Sequence, residues 1–146
     1  MVARIHHIGI AVHSLEAAVR VYGEGLGLVP SPVEEVPAQQ VKLVMLPVGE
    51  SRVELLETTA PEGPVGRFLS SRGEGVHHLA LAVEDLEAAL AGARRAGLRL
   101  IDERPREGAH GTKVAFVHPR STCGVLLELV EESRGDLGGA RGGGVT

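Results

Sequence analysis

The sequence has no tryptophan and no asparagine, one cysteine, and aromatic residues amounting to only 2%. The single Cys123 excludes an internal disulfide and fits a reducing, cytoplasmic setting. So few aromatics leave none of the stacking platforms that single-strand nucleic-acid binders use, and the core has to be Val, Leu, Ile and Ala. Lys and Arg number 15 against 19 Asp and Glu, a formal charge of −4, so no broad basic face for nucleic acid is expected. No apolar run approaches the roughly 20 residues that span a bilayer. Residues 1–4 lead directly into a strand pattern, with no secretory leader visible. The partners expected are therefore neither nucleic acid nor membrane.

What is present is a repeat. His6-His7-Ile8-Gly9-Ile10-Ala11-Val12-His13-Ser14-Leu15-Glu16-Ala17-Ala18 overlies His77-His78-Leu79-Ala80-Leu81-Ala82-Val83-Glu84-Asp85-Leu86-Glu87-Ala88-Ala89 without a gap. The His pair, the Ala-Val pair and the Leu-Glu-Ala-Ala run coincide. An internal repeat governs any reading of the fold, and this one marks a duplicated supersecondary unit. At 146 residues and 43% apolar content, both copies fit in one domain, expected over residues 1–133.

Within the first copy, about residues 4–58, alternation predicts a strand over 5–12. Ser14 reads as the N-cap of a helix marked by Leu15, Ala18, Val19 and Tyr22 and ended by Gly25 and Gly27. A short strand over 28–32, a loop over 32–38 and a hairpin of 40–47 with 52–57 complete a βαβββ unit. Residues 59–74 read as a linker with a short helix at 65–71. The second copy, about residues 75–132, predicts strands at 76–83, 98–101, 112–118 and 125–130, with a helix over 86–95 capped by Asp85. The glycine-rich tail, 134–146, has too little apolar content to offset its ordering entropy and is expected to be disordered.

The last strands of the two copies also match: Val53-Glu54-Leu55-Leu56-Glu57 overlies Leu127-Glu128-Leu129-Val130-Glu131. Each places a Glu inside an apolar strand, where an unpaired carboxylate would be costly and a cation would compensate it. Symmetric packing would bring His7, Glu54, His78 and Glu128 to one point. Two imidazoles with one or two carboxylates suit a divalent first-row ion that keeps open water positions. Strand neighbours point to opposite faces, so only one His of each pair is expected inward. The phase selects His7 and His78, leaving His6 and His77 as flanking residues. His110, in a glycine-flanked loop, and His118, at a strand end, are further candidates for ligand contact.

The stretches His7-Ile8-Gly9-Ile10-Ala11-Val12, His77-His78-Leu79-Ala80, Gly108-Ala109-His110-Gly111, His118-Pro119 and Gly124-Val125-Leu126-Leu127-Glu128-Leu129 resemble the methylmalonyl-CoA epimerase family. That family belongs to the vicinal oxygen chelate (glyoxalase/bleomycin-resistance-like) superfamily. The resemblance implies an α+β fold of two tandem βαβββ modules forming one cupped mixed sheet with helices outside. It implies one divalent metal ion (cobalt, manganese or zinc) held by His7, Glu54, His78 and Glu128, although some relatives have Gln at the position of Glu54. It further implies an acyl-CoA substrate, a homodimer, and proton abstraction at C2 of a methylmalonyl thioester followed by reprotonation through an enolate.

Glu128 is the first candidate for the acid/base pair. The second group is open between Glu54, a metal-bound water and Gln39 acting through water. Some bacterial relatives carry a second Glu in the strand matching 41–44, where this chain has Leu43. Gln39, His110, Lys113, Arg120 and Ser121 are the candidate substrate contacts, with Arg106 as a further cation for coenzyme A phosphates. The alternatives are a glyoxalase-type lyase or isomerase acting on a thiol adduct, and a metal-free small-molecule-binding protein.

Overall fold

The computed structural model describes residues 1–132, so the tail expected to be disordered lies outside the described residues. The chain runs β1 (Val2–Ala11), α1 (Leu15–Val19), β2 (Glu34–Val36), β3 (Val41–Val48) and β4 (Ser51–Thr58). It continues through α2 (Pro64–Arg72), β5 (Gly75–Val83), α3 (Leu86–Arg95), β6 (Arg106–Glu107), β7 (Lys113–Val117) and β8 (Leu127–Glu131). All eight strands form one mixed sheet in the order β2-β3-β4-β1-β5-β8-β7-β6. The repeat is visible in that order: β1 and β5 pair antiparallel at the centre, and each has its own copy's last strand parallel beside it.

Alternation along the strands sorts the two faces. Val44, Leu46 and Leu55 turn to the convex side, where they pack with Leu15 of α1, while Ala115, Val117 and Leu129 pack with Leu86 and Leu90 of α3. Each such fully buried leucine contributes about 1.5–3 kcal/mol. The two helices start alike. Ser14 accepts the Ala17 N–H at 3.1 Å and Asp85 the Ala88 N–H at 3.0 Å. Glu57 accepts from Leu15 N–H and Glu131 from Leu86 N–H, so the residue three beyond each strand glutamate ties a helix start to its sheet. The helix α2 instead crosses one end of the concave face, with Val65 and Leu69 against Ala11, Val41 and Leu56.

Several local expectations are corrected. Residues 28–32 form no strand. Ser31 N–H donates to Met45 O and its hydroxyl oxygen accepts Met45 N–H, so this segment is held by β3 without joining the sheet. The edge strand β2 lies where a loop was expected. The strand expected over 98–101 shrinks to one bridge, Leu100 to Val117. After Val19, helix α1 widens into a π-turn over Arg20–Gly25.

The largest correction concerns the His pairs. Ile5 stands opposite Leu81 but His7 opposite Ala80, so β1 carries one extra residue at His6. Gly9 stands opposite His78 but Ile10 opposite Val76, so β5 carries one extra residue at His77. Each is a bulge, which breaks strict alternation. Ile5, Ile8 and Val76 are exposed on the outer face, while His6, His7 and His78 are buried.

Candidate metal centre

The middle of the concave face holds four buried ionisable side chains: His7, Glu54, His78 and Glu128. The Nε2 atoms of His7 and His78 lie 2.9 Å apart. Glu54 Oε1 is 3.5 Å from the first and 3.4 Å from the second. Glu128 Oε2 is 3.2 Å and 2.9 Å from the same two nitrogens. Donors bonded to one ion at about 2.1 Å stand roughly 3.0–3.4 Å from each other in octahedral or tetrahedral arrangements. The observed separations, 2.9–3.5 Å, lie within about 0.1 Å of that range, so these residues fit a small divalent ion. Among the described residues, His7, Glu54 and His78 form a compact three-donor group that could hold one.

Charge is concentrated at this point. Burial alone would push His78 down, but the hydrogen bond and charge of Glu128, then those of Glu54, outweigh it and raise the group to about 10. Burial pushes Glu128 the other way, yet the hydrogen bonds from His7 and His78 hold its carboxyl well below the usual carboxylate range. The neighbouring imidazoles behave oppositely. His6 is pushed down to about 3, mainly by burial and then by His7 and Arg52. His77 is pushed down to about 4, mainly by burial and then by His78.

A cavity of about 430 Å³ opens from this cluster. Leu43, Met45 and Val130 supply an apolar wall, and Glu54, Glu128, His7 and His6 are among its polar residues. Of the expected substrate contacts, Gln39 and His110 line it. His110 sits in left-handed backbone at φ 56°, and its N–H donates to Glu34 at 3.0 Å, which ties the second copy's loop to the first copy's edge strand. Lys113, Arg120 and Ser121 do not line this cavity. Lys113 is exposed, opposite Glu131 and Glu107 in the sheet. Ser121 Oγ accepts the Arg99 N–H, and the Arg120 N–H donates to His118 Nδ1, so His118 caps a tight turn. Arg106 lies over the Phe116 ring, 5.4 Å from its centroid.

Two residues that line the cavity, Arg52 and Glu132, went unnoticed in the sequence, as did Arg4 beside them. Arg4 is ion-paired with Glu132, whose Oε1 lies 3.6 Å from His6 Nε2, and Arg52 Nη1 lies 3.2 Å from the same nitrogen. Period two was the available signal, because Arg52 is two residues before Glu54 and Glu132 is four after Glu128.

This arrangement defines the class of protein. The profile of the Glyoxalase/Bleomycin resistance protein/Dioxygenase superfamily matches residues 6–116, and the chain belongs to that superfamily. Its similarity to the epimerases within it runs nearly end to end. The ethylmalonyl-CoA/methylmalonyl-CoA epimerase of Cereibacter sphaeroides is 34% identical over 131 residues, 88% of this chain and 98% of that protein. A solved structure of a methylmalonyl-CoA epimerase in complex with methylmalonyl-CoA and NH4+ superposes with a TM-score of 0.89 at 38% identity, over 92% of this chain and 97% of the other. The methylmalonyl-CoA epimerase of Mycobacterium tuberculosis superposes with a TM-score of 0.88 at 32% identity, over 94% and 93%. Among the described residues, no helix is long and apolar enough to cross a membrane.

Proposed function

We propose that this protein interconverts (2R)- and (2S)-methylmalonyl-CoA by removing and returning the C2 proton. The observation that carries the reading is Glu128. Its Oε2 touches both imidazole Nε2 atoms and its side chain lines the cavity, so it can face a reacting carbon beside the centre. The names of the epimerase relatives support the same substrate class.

His7, Glu54, His78 and Glu128 would hold a divalent ion, which supplies a Lewis acid for the thioester carbonyl and carboxylate oxygens and so stabilises negative charge on the enolate. Glu128, kept ionised by its partners, acts as the base on one face of C2. Leu43 occupies a cavity wall where some relatives have a second carboxylate. Among the described lining residues that leaves Glu54 and Glu132 as the other carboxylates, and Glu132 is already ion-paired with Arg4. Glu54 is therefore the acid/base on the opposite face. Leu43, Met45 and Val130 keep bulk water from the carbanion, and Gln39 and His110 orient the acyl group. The exposed stretch of Ile5 and Ile8, with partly exposed Leu79 and Leu81 opposite them, supports a homodimer through the outer face of the sheet.

The test is proton NMR of methylmalonyl-CoA in deuterated buffer, comparing metal-loaded protein, chelated protein and buffer alone. Exchange of the C2 proton above buffer only with loaded protein is the expected result. No added exchange, with metal bound and the fold intact, removes the epimerase reading.

The ion pair around His78 adds a pH dependence. Its raised proton affinity keeps the imidazole protonated at neutral pH in protein freed of metal, and that proton has to leave before Nε2 can bind. Loading at pH 7.5 is expected to release about one proton per site, with apparent affinity rising about tenfold per pH unit below pH 10. Calorimetry in buffers of different ionisation enthalpy reads this directly, and buffer-independent heats would contradict it.

A further inference from the structure

Both halves of the protein carry the same four residues around a bulge: an outward apolar residue, two histidines and a second outward apolar residue. These are Ile5-His6-His7-Ile8 and Val76-His77-His78-Leu79. A regular strand would send His6 and His77 to the convex face. The bulges turn both toward their neighbours instead. His6 Nδ1 lies 2.7 Å from His7 Nδ1, and His77 Nδ1 lies 3.0 Å from His78 Nδ1. The rings meet edge to face at 75° and 89°.

An imidazole has two nitrogens, and in His7 and His78 the Nε2 atoms are committed to the centre. The remaining nitrogen of each faces one group, the second histidine. A neutral imidazole pair shares a single proton along such a contact. With that proton on Nδ1 of the inner ring, the lone pair of its Nε2 points at the centre. The reverse tautomer puts a proton on Nε2 and blocks it.

We infer that His77 is a positioning residue that accepts the Nδ1–H of His78 and thereby holds the Nε2 lone pair of His78 on the metal point. This rests on the metal-binding part of the proposed function, not on the identity of the substrate. The outer ends are anchored differently. At His6 the guanidinium of Arg52, which can only donate, lies 3.2 Å from Nε2, so that nitrogen accepts and the His6 proton sits on Nδ1, which sets the first copy apart from the second. His77 is wedged edge-on against Phe68 of α2, with ring centroids 5.0 Å apart.

The test uses the full chain loaded with zinc and the variants His77→Leu and His77→Asn, because the Asn carbonyl oxygen sits near the place of Nδ1 and keeps an acceptor there. Zinc affinity is expected to fall about 10–100-fold in His77→Leu and to return to within about threefold of the parent in His77→Asn. Long-range proton–nitrogen NMR of the zinc-loaded parent should show the His78 proton on Nδ1, slow to exchange. The His78 proton should exchange rapidly in His77→Leu. Unchanged zinc affinity in His77→Leu, or a His77→Asn variant as weak as His77→Leu, overturns the inference. So does a parent spectrum with the His78 proton on Nε2, and this spectrum decides the matter if His77→Leu does not fold. A parent that takes up no zinc removes the metal reading and this inference together. Failure of C2 exchange alone leaves the inference standing.

Discussion

Glu128→Gln is expected to lower C2 proton exchange of the epimer whose proton faces Glu128 by about 10²–10⁴-fold, even with metal saturating, the range associated with losing a positioned general base. Glutamine keeps the volume of the side chain and one acceptor oxygen, so the cavity wall and the apolar neighbours on β8 stay in place. What it loses is the negative charge that His7 and His78 support at 3.2 Å and 2.9 Å. The amide also brings an N–H₂ that cannot take a proton from C2. Substrate affinity should change little, because the rest of the cavity lining is untouched.

Glu54→Gln is the matched control. It sits in the same centre at 3.5 Å and 3.4 Å from the two nitrogens. A purely ligating role there would cost metal affinity but leave exchange once the site is refilled. A base on the second face would cost epimerisation while sparing exchange from the Glu128 side. Measuring exchange and inversion separately, at saturating metal, distinguishes these roles. Retained exchange, in Glu128→Gln, of the epimer whose C2 proton faces Glu128 would remove that residue from the base role and transfer it to the ligand set alone.

Much of this centre was legible in the sequence, because duplication displays structurally equivalent residues side by side. Both strand glutamates lie on the concave face, as the alternation of Val53 and Leu55 around Glu54 and of Leu127 and Leu129 around Glu128 requires. The helix caps Ser14 and Asp85 were readable for the same reason. The edge strand β2 was not, since three residues carry no period and its pairing to β3 is decided by tertiary contact. His6 was misread because alternation assumes an unbroken pleat, whereas His7 and His78 do turn to the centre. A cue existed: the outward apolar residues are spaced by three in both copies, Ile5 to Ile8 and Val76 to Leu79, where a regular strand spaces them by two. The cations were chosen by proximity in sequence, which does not report the face of a strand. Lys113 and Arg52 are both strand residues, and the lining of the cavity includes only Arg52.

Gly9→Ala should disable the centre without altering any residue that would touch an ion. A Cβ at Gly9 would lie 2.1 Å from His78 Cε1, 2.5 Å from its Nδ1 and 2.6 Å from its Nε2. These are ring atoms directly across the seam, because Gly9 and His78 face each other in the β1–β5 register. Glycine is required here by space, since its backbone is not in the left-handed region. The ring has nowhere easy to go: Nδ1 meets His77, Nε2 meets Glu128, and the Phe116 ring stands edge-on with centroids 5.8 Å apart. Overpacking of this kind costs about 1–3 kcal/mol of stability. The larger effect expected is on metal uptake, a loss of about 100-fold or more, because moving Nε2 by even 1 Å breaks a donor edge set by bond lengths of about 2.1 Å. The other half of the repeat supplies the control. Its equivalent position is Ala80, opposite His7, so the methyl that the first copy excludes is already accommodated in the second. Ala80→Gly should cost about 0.5–1 kcal/mol of stability and leave metal uptake nearly unchanged. Equilibrium dialysis with zinc, alongside thermal unfolding of both variants, makes the comparison. Parental zinc affinity in Gly9→Ala would mean that His78 can bind from a second ring position, and the rigid two-imidazole centre would have to be abandoned.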